Sequence, residues 1–344
     1  MASRRTFLKL SMLVGGGLSF NITNKALASE EAEILKTSAH SQGRVITSAT
    51  IYDAPKRNAK RLKTLTRDTV IPIIGETQGE RLSPTSDLWY RTDNGYVYST
   101  GVQPVDTELQ TPVAPEIAAE RFWAEVCVPF TDTRQSLQAN ARPFRRIYHG
   151  CVFRVVGLTQ DKQGIWWYRL EDGFNGNNGF IYNLHVNATH MRRITAEDLS
   201  PLSPEIEDKR IQVNLKTNII TAYENGNLVN TVRCSSGILK RDLATPRGEM
   251  SILYKMHTSH MRDRTRTYDL PGVAFPTYFT WWGHAIHCTY WHNDWGTYRS
   301  HGCLNVPNEA ARWFWRWTLP NAPYDTNFYS VTLAKTTGTK VSLI

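Results

Sequence analysis

Cysteine is scarce in this chain. The five present among 344 residues, Cys127, Cys151, Cys234, Cys288 and Cys303, are too few for a disulfide scaffold. Their odd count leaves at least one thiol unpaired outside the cytoplasm. No Cys-x-x-Cys pair occurs, which argues against the regular spacing of a structural zinc site. Charge is modest too, at 21% of residues against 41% hydrophobic, so the chain is globular and not disordered. Beyond the N-terminus no apolar run is long enough to span a bilayer. Helix signals are nearly missing, and strand-and-turn patterns dominate, so the expected class is mainly β. At 344 residues there is room for two or three domains.

What is there begins with Ser3-Arg4-Arg5-Thr6-Phe7-Leu8-Lys9. An apolar run from Leu10 to Phe20, broken by Gly15-Gly16-Gly17, and the small-x-small site Ala26-Leu27-Ala28 follow. This is the plan of a twin-arginine signal peptide over residues 1–28, too short and glycine-rich for a membrane helix. Residues 29–43 read as a spacer. The expected location is therefore exported, at the extracytoplasmic face or in the wall. There the net charge of +9 would meet an anionic wall or membrane surface, and nucleic acid is not an expected partner. Cys127 and Cys151 fall in one expected domain. They could pair or remain two buried apolar side chains, and the sequence leaves both open.

From Arg44 onward a strand plan occurs twice. Thr69 to Ile74 is a β-branched strand, and Leu88-Trp89-Tyr90-Arg91-Thr92 and Tyr96-Val97-Tyr98 flank the hairpin signal Asp93-Asn94-Gly95. Val152 to Gly157, Trp166-Trp167-Tyr168-Arg169-Leu170 and Gly179-Phe180-Ile181-Tyr182 repeat this order, with Phe174 to Asn178 inserted. The Trp-Tyr-Arg…Gly-x-x-Tyr pattern resembles bacterial SH3-like domains, which implies two small β-barrels at 44–106 and 120–196. Proline-marked linkers are expected at Thr111 to Ala119 and at Leu199 to Pro204.

The remaining segment, 208–344, opens with alternating strands at Arg210 to Leu215, Ile219 to Tyr223 and Leu228 to Arg233, with a turn at Asn225-Gly226, and points to antiparallel sheet. One helix is expected from Pro307 to Trp317, with Ala310, Trp313, Phe314 and Trp317 on its core face.

Chemistry concentrates in Arg299-Ser300-His301-Gly302-Cys303-Leu304-Asn305, with His287 upstream. A thiol nucleophile needs a base, an orienting group and a backbone open to a substrate carbonyl, and these residue types supply all three. The segment His287-Cys288-Thr289-Tyr290-Trp291-His292-Asn293-Asp294-Trp295-Gly296 followed by Ser300-His301-Gly302-Cys303-Leu304-Asn305 resembles the active-site signature of the L,D-transpeptidases with a YkuD-type catalytic domain. Thr245-Pro246-Arg247-Gly248 resembles that family's Thr-Pro-x-Gly turn. Cys288 stands where relatives commonly carry glycine.

The resemblance implies a β-sandwich with a helix after the catalytic cysteine. It implies Cys303 as nucleophile and His287 as general base, whose imidazolium would hold the thiol at a lowered pKa. It also implies a supporting role for His301. Gly302 and Cys303 would offer backbone N–H groups to the oxyanion, and Ser300 and Asn305 would hold the loop. Asn305 and Tyr290 are candidate substrate contacts, and the helix after Pro307 would aim its positive end at the thiolate. The implied reaction joins peptidoglycan stem peptides. Cys303 acylates on the third residue of a donor tetrapeptide, D-alanine leaves, and a neighbouring third-residue amine resolves the thioester into a 3→3 cross-link. No cofactor or metal is expected. With water as acceptor the same site is a carboxypeptidase. A cell-wall thiol peptidase, a zinc-binding module using His284, His287, Cys288, His292, His301 and Cys303, and a catalytically dead wall-binding module are the alternatives.

Overall fold

The Asp93-Asn94-Gly95 signal closes a hairpin between strands Ser86–Thr92 and Gly95–Tyr98, with Thr92 opposite Gly95. Gly95 takes φ +130°, and a Cβ there would meet Tyr52 O at 2.3 Å, so glycine is required at the turn. These details come from a computed structural model that describes residues 40–113, 120–138, 140–171, 184–240, 242–262 and 268–344. The signal segment at 1–28, most of the spacer, part of the first linker and the expected arm Gly179 to Tyr182 lie outside the described residues.

The hairpin belongs to a five-stranded sheet in the order Arg61–Thr66, Ser48–Tyr52, Gly95–Tyr98, Ser86–Thr92, Gly75–Ser83. A three-stranded sheet of Val70–Pro72, Gln42–Val45 and Val102–Val105 shares its core, where Val45, Ile71 and Val102 pack with Ile51, Leu65, Tyr90 and Val97. A second module has five strands in the order Leu184–Asn187, Trp166–Glu171, Val152–Gln160, Phe122–Val126, Met191–Ile194. In both modules the Trp-Tyr-Arg strand lies between the strand before it and the strand after it. In both, that following strand runs through a 3₁₀ turn, Ser99–Gly101 or Ala188–His190, into a last strand.

The third part is a sandwich. One sheet runs Asn227–Arg233, Ile219–Glu224, Lys209–Asn214, Lys340–Leu343, Gly248–Ser251. The other runs Leu304–Val306, Ala285–Cys288, Thr277–Tyr278, Tyr254–Met256, Phe328–Ser330. Ile211, Val213, Ile220 and Val341 from the first meet Ile286, Cys288, Leu304 and Val306 from the second in one buried cluster. The fold is thus mainly β, as expected. Antiparallel pairing is not universal, however. Lys209–Asn214 pairs in parallel with Lys340–Leu343, and Ala285–Cys288 in parallel with Leu304–Val306. Parallel neighbours need long crossovers, and local turn signals do not register such connections.

The helix spans Asn308–Trp317 with Pro307 at its N-cap. Its buried residues are Ala311, Phe314, Trp315 and Trp317, while Ala310 and Trp313 are half-buried. The inner face is turned toward Trp315, whose ring packs beside His257 and Phe275, at 4.6 and 6.1 Å between centroids. Two buried lysines take up the last carbonyls of this helix. Lys255 Nζ donates to Trp315 O at 2.6 Å and to Thr318 O, and Lys209 Nζ donates to Trp317 O at 2.9 Å. Carbonyls at a helix C-terminus lack intrahelical donors and carry partial negative charge, so buried ammonium groups satisfy both needs. Burial in turn pushes the Lys255 pKa well below its ordinary value.

The second module packs directly on the sandwich. Trp123, Val152 and Ile194 are part of the sandwich cluster, and Thr258 Oγ1 donates to Val152 O. The expected linker at Leu199 to Pro204 is packed as well: Leu199 is buried, and Leu202 N–H donates to Arg316 O at 3.1 Å.

Candidate active site

The strand Ala285–Cys288 alternates. Ile286 and Cys288 enter the sandwich core, as do their register partners Leu304 and Val306. His287 and its partner Asn305 therefore share the opposite face. Cys303 stands one residue before the strand Leu304–Val306, whose Leu304 and Asn305 pair with Ile286 and His287. His287 is buried, and its Nδ1 donates to the Cys288 carbonyl at 2.7 Å. A carbonyl can only accept, so this bond places the proton on Nδ1 and leaves the Nε2 lone pair free. Burial pulls the imidazole pKa down to about 4, against the opposing pull of the Cys288 carbonyl.

The nucleophile loop is held by Ser300. Its hydroxyl donates to Cys303 O at 2.6 Å and accepts the Gly302 N–H at 3.1 Å. Gly302 takes φ +111°, and a Cβ there would lie 2.6 Å from His284 Cδ2, so no side chain fits. Ser300 in turn pairs with Gly237, whose N–H donates to Thr245 Oγ1 at 2.9 Å. The Thr-Pro-Arg-Gly turn thus braces the loop from behind. Ser300 occupies the Gly302 N–H, which leaves the Cys303 N–H as the unengaged donor of the two. It makes no hydrogen bond among the described residues.

The Cys303 side chain is half-buried, and its Sγ lies 3.5 Å from Gly283 O. Burial pushes the thiol up to about 11, partly offset by the Ala285 N–H directed at sulfur. Burial therefore works against the expected lowered thiol pKa, and it lowers the His287 imidazole in the opposite sense. The helix does not aid the thiolate either. It begins at Asn308, beyond the strand Leu304–Val306, and helix-end fields fade within a turn.

The structure places Ser300, Gly302 and Cys303 on one loop, and sets His287 on the strand that pairs with Leu304–Val306, which follows that loop. His301 is exposed on the same loop, with its ring 5.0 Å from that of Tyr268. Asn305 is buried beside His287, and its amide donates to His292 Nε2 at 3.0 Å, which ties it to the segment between His287 and Cys303. Tyr290 is also redirected. It is buried in the second module's core, stacked 5.1 Å from Tyr148, with its hydroxyl donating to Pro271 O at 3.1 Å. It is a packing residue and not a substrate contact. Cys288 Sγ accepts the Ala274 N–H at 3.1 Å inside the core. Cys127 and Cys151 are both free thiols. Among the described residues no three His, Cys, Asp or Glu side chains gather as a metal site.

Sequence reasoning missed two features. His284, covering Gly302, was considered only as a zinc ligand. The segment between His287 and Cys303 is also clasped by the first module. Arg44 donates to Tyr290 O, and Asn293 Nδ2 donates to Ser99 O at 3.1 Å and Val102 O at 2.9 Å. The signal available was the density of large polar and aromatic residues from Tyr290 to Trp295.

Residues 208–342 match the YkuD family, described as L,D-transpeptidase catalytic domain. No curated protein matches the chain. Among solved structures, Mycobacterium tuberculosis L,D-transpeptidase 1 is similar at 21% identity over 40% of this chain and 61% of that one, with a TM-score of 0.29. The Xylanimonas cellulosilytica L,D-transpeptidase is similar at 24% identity over 42% and 63%, with a TM-score of 0.28. An Enterococcus faecium L,D-transpeptidase is similar at 22% identity over 41% and 51%, with a TM-score of 0.31. The chain thus spans less than two-thirds of each of these proteins. Residues 208–342 are an L,D-transpeptidase catalytic domain of the YkuD family.

Proposed function

We propose that the protein joins peptidoglycan stem peptides through 3→3 cross-links, by way of a thioester on Cys303. The observation that carries this is the tautomer of His287, whose Nδ1 is bonded to the Cys288 carbonyl and whose strand pairs with the one that Cys303 leads into. In the first half-reaction Sγ attacks the carbonyl of the third residue of a donor tetrapeptide as its proton passes to His287 Nε2. The Cys303 N–H receives the developing oxyanion. The imidazolium then protonates the leaving amine, and D-alanine departs with both its electron pair and that proton. In the second half-reaction the side-chain amine of an acceptor stem attacks the thioester and gives its proton to His287. The thiolate leaves and recovers that proton from the imidazolium, which restores the starting pair.

The two N-terminal modules, with their repeated strand and 3₁₀ plan, are taken as SH3-like domains that face the anionic wall. The work is done outside the cytoplasm. The test is product analysis with a defined tetrapeptide donor. A dimer linked between two third residues, with one D-alanine released per link, is expected. D-alanine release without dimer would assign carboxypeptidase activity instead. Product formation by Cys303→Ala would remove the cysteine mechanism.

A further inference from the structure

The turn before the base strand reaches the thiol, because the carbonyl close to Cys303 Sγ belongs to Gly283. On that turn stand Trp281, 57% exposed, and Trp282, 90% exposed. The turn is well tied. Thr280 Oγ1 accepts the His284 N–H at 3.0 Å and bonds His284 Nδ1 at 3.0 Å, and Phe279 N–H donates to His284 O at 2.9 Å. Trp281 lies nearly parallel to Tyr254, 5.4 Å between centroids and 14° between planes, and Tyr254 stacks on Tyr278 at 4.2 Å. One face of Trp281 is thus packed and the other is open. Trp282 makes no ring contact or hydrogen bond among the described residues. An indole in water leaves a large apolar area unburied, and such exposure beside a reactive group marks a binding surface.

We propose that Trp281 and Trp282 form a platform for a sugar ring of the donor, so that the site selects its substrate by the glycan as well as by the stem peptide. This rests on the acyl transfer proposed above. A pyranose presents a face of C–H bonds with partial positive charge. An indole presents an extended face of negative quadrupole, so the two stack without either losing a hydrogen bond.

Reach agrees with this assignment. Whatever lies over the turn must be continuous with the carbonyl at Cys303, since Gly283 touches the sulfur. Two stem residues, the third residue's own backbone and an ether linkage separate that carbonyl from the sugar, roughly 10–15 Å of chain. Trp282 is one residue from Gly283, about 3.8 Å of backbone, and its side chain extends farther. Thr280, Trp281, Trp282 and Gly283 carry no charge, which fits a neutral sugar better than the carboxylates of a stem peptide.

The experiment compares acylation of the wild type and the Trp282→Ala, Trp282→Phe and Trp281→Ala variants by two donors, the disaccharide tetrapeptide and the bare tetrapeptide. The wild type is expected to favour the disaccharide donor by about tenfold in kcat/KM, mainly through KM. Trp282→Ala should bring that ratio close to one, with Trp282→Phe between. Because Trp282 is exposed, its variants should keep the wild-type Tm. A wild-type ratio near one overturns the platform, as does a Trp282→Ala ratio equal to the wild type's, and both leave acyl transfer standing. If the wild type acylates with neither donor, the transfer function and the platform fall together.

Discussion

The buried guanidinium of Arg44, in the first β module, donates a hydrogen bond to the carbonyl of Tyr290, in the segment that joins His287 to Cys303. A residue far from the motif in sequence thereby holds the chain between base and nucleophile. The same guanidinium bonds Gln103 Oε1 and, at 3.0 Å, Asp68 Oδ1. Its planar fork serves three partners at once, which a lysine ammonium cannot match in geometry.

Arg44→Ala is therefore expected to destabilise the protein by about 2–3 kcal/mol, the usual worth of buried hydrogen bonds to a charged group. It is also expected to slow acylation, because Tyr290 O is left without its donor. Arg44→Lys should recover stability only in part. Denaturant midpoints at constant m, together with acylation rates, check this. Wild-type values for both variants would show that the clasp carries nothing.

His287→Ala is expected to slow acylation about 10²–10⁴-fold, the usual worth of general-base help. His301→Ala, at an exposed ring, should cost less. Single-turnover acylation at equal folding measures both. A larger loss at His301 would reverse the assignment of the base.

Burial disfavours charge on both His287 and Cys303, and this sets the expected pH dependence. His287 must be unprotonated to act, so kcat/KM for acylation should fall with an acid limb near 4 as pH is lowered through its folded pKa. The thiol, pushed up to about 11, should alkylate with iodoacetamide at a rate still rising at alkaline pH. A plateau of alkylation at neutral pH would mean a preformed thiolate.

Stability should follow the same histidines. Burial holds His257 down to about 3 and His287 down to about 4, while an unfolded histidine titrates at about 6.5. Between those values the unfolded chain binds protons that the native one refuses. Stability is thus full above about pH 6.5 and declines as pH falls toward 4. Tm measured across that window should drop steadily. A flat profile would mean that these imidazoles are charged in the folded protein.

Cys288 is expected to be inert. Its Sγ accepts the Ala274 N–H within the sandwich core, and burial pushes the thiol up to about 12. Wild type and Cys288→Ala should lose activity to peroxide at the same rate and recover equally with reductant. Recovery confined to the wild type would give Cys288 a redox role.

Local chemistry was legible in the sequence and distant pairing was not. Asn94-Gly95 and Asn225-Gly226 marked their turns because the signal sits in the turn itself. Ser300 and Gly302 were readable for the same reason, since their hydrogen bonds stay within the loop. Tyr290 misled because it adjoins the motif, while its partner Tyr148 lies in another module. The helix face shifted because Trp315 packs beside His257 and Phe275, neighbours that helical periodicity cannot name. The burial that acts on both Cys303 and His287 was not legible, because it is a property of the assembled fold.

The central claim is an acyl group carried on Cys303, and intact-mass measurement of the protein mixed with a disaccharide tetrapeptide donor tests it most directly. The account predicts an adduct equal to the donor less D-alanine, mapped to Cys303 by digestion. It should be absent in Cys303→Ala and be discharged when an amine acceptor is added. An adduct on any other residue, or cross-linked product from Cys303→Ala, would contradict it.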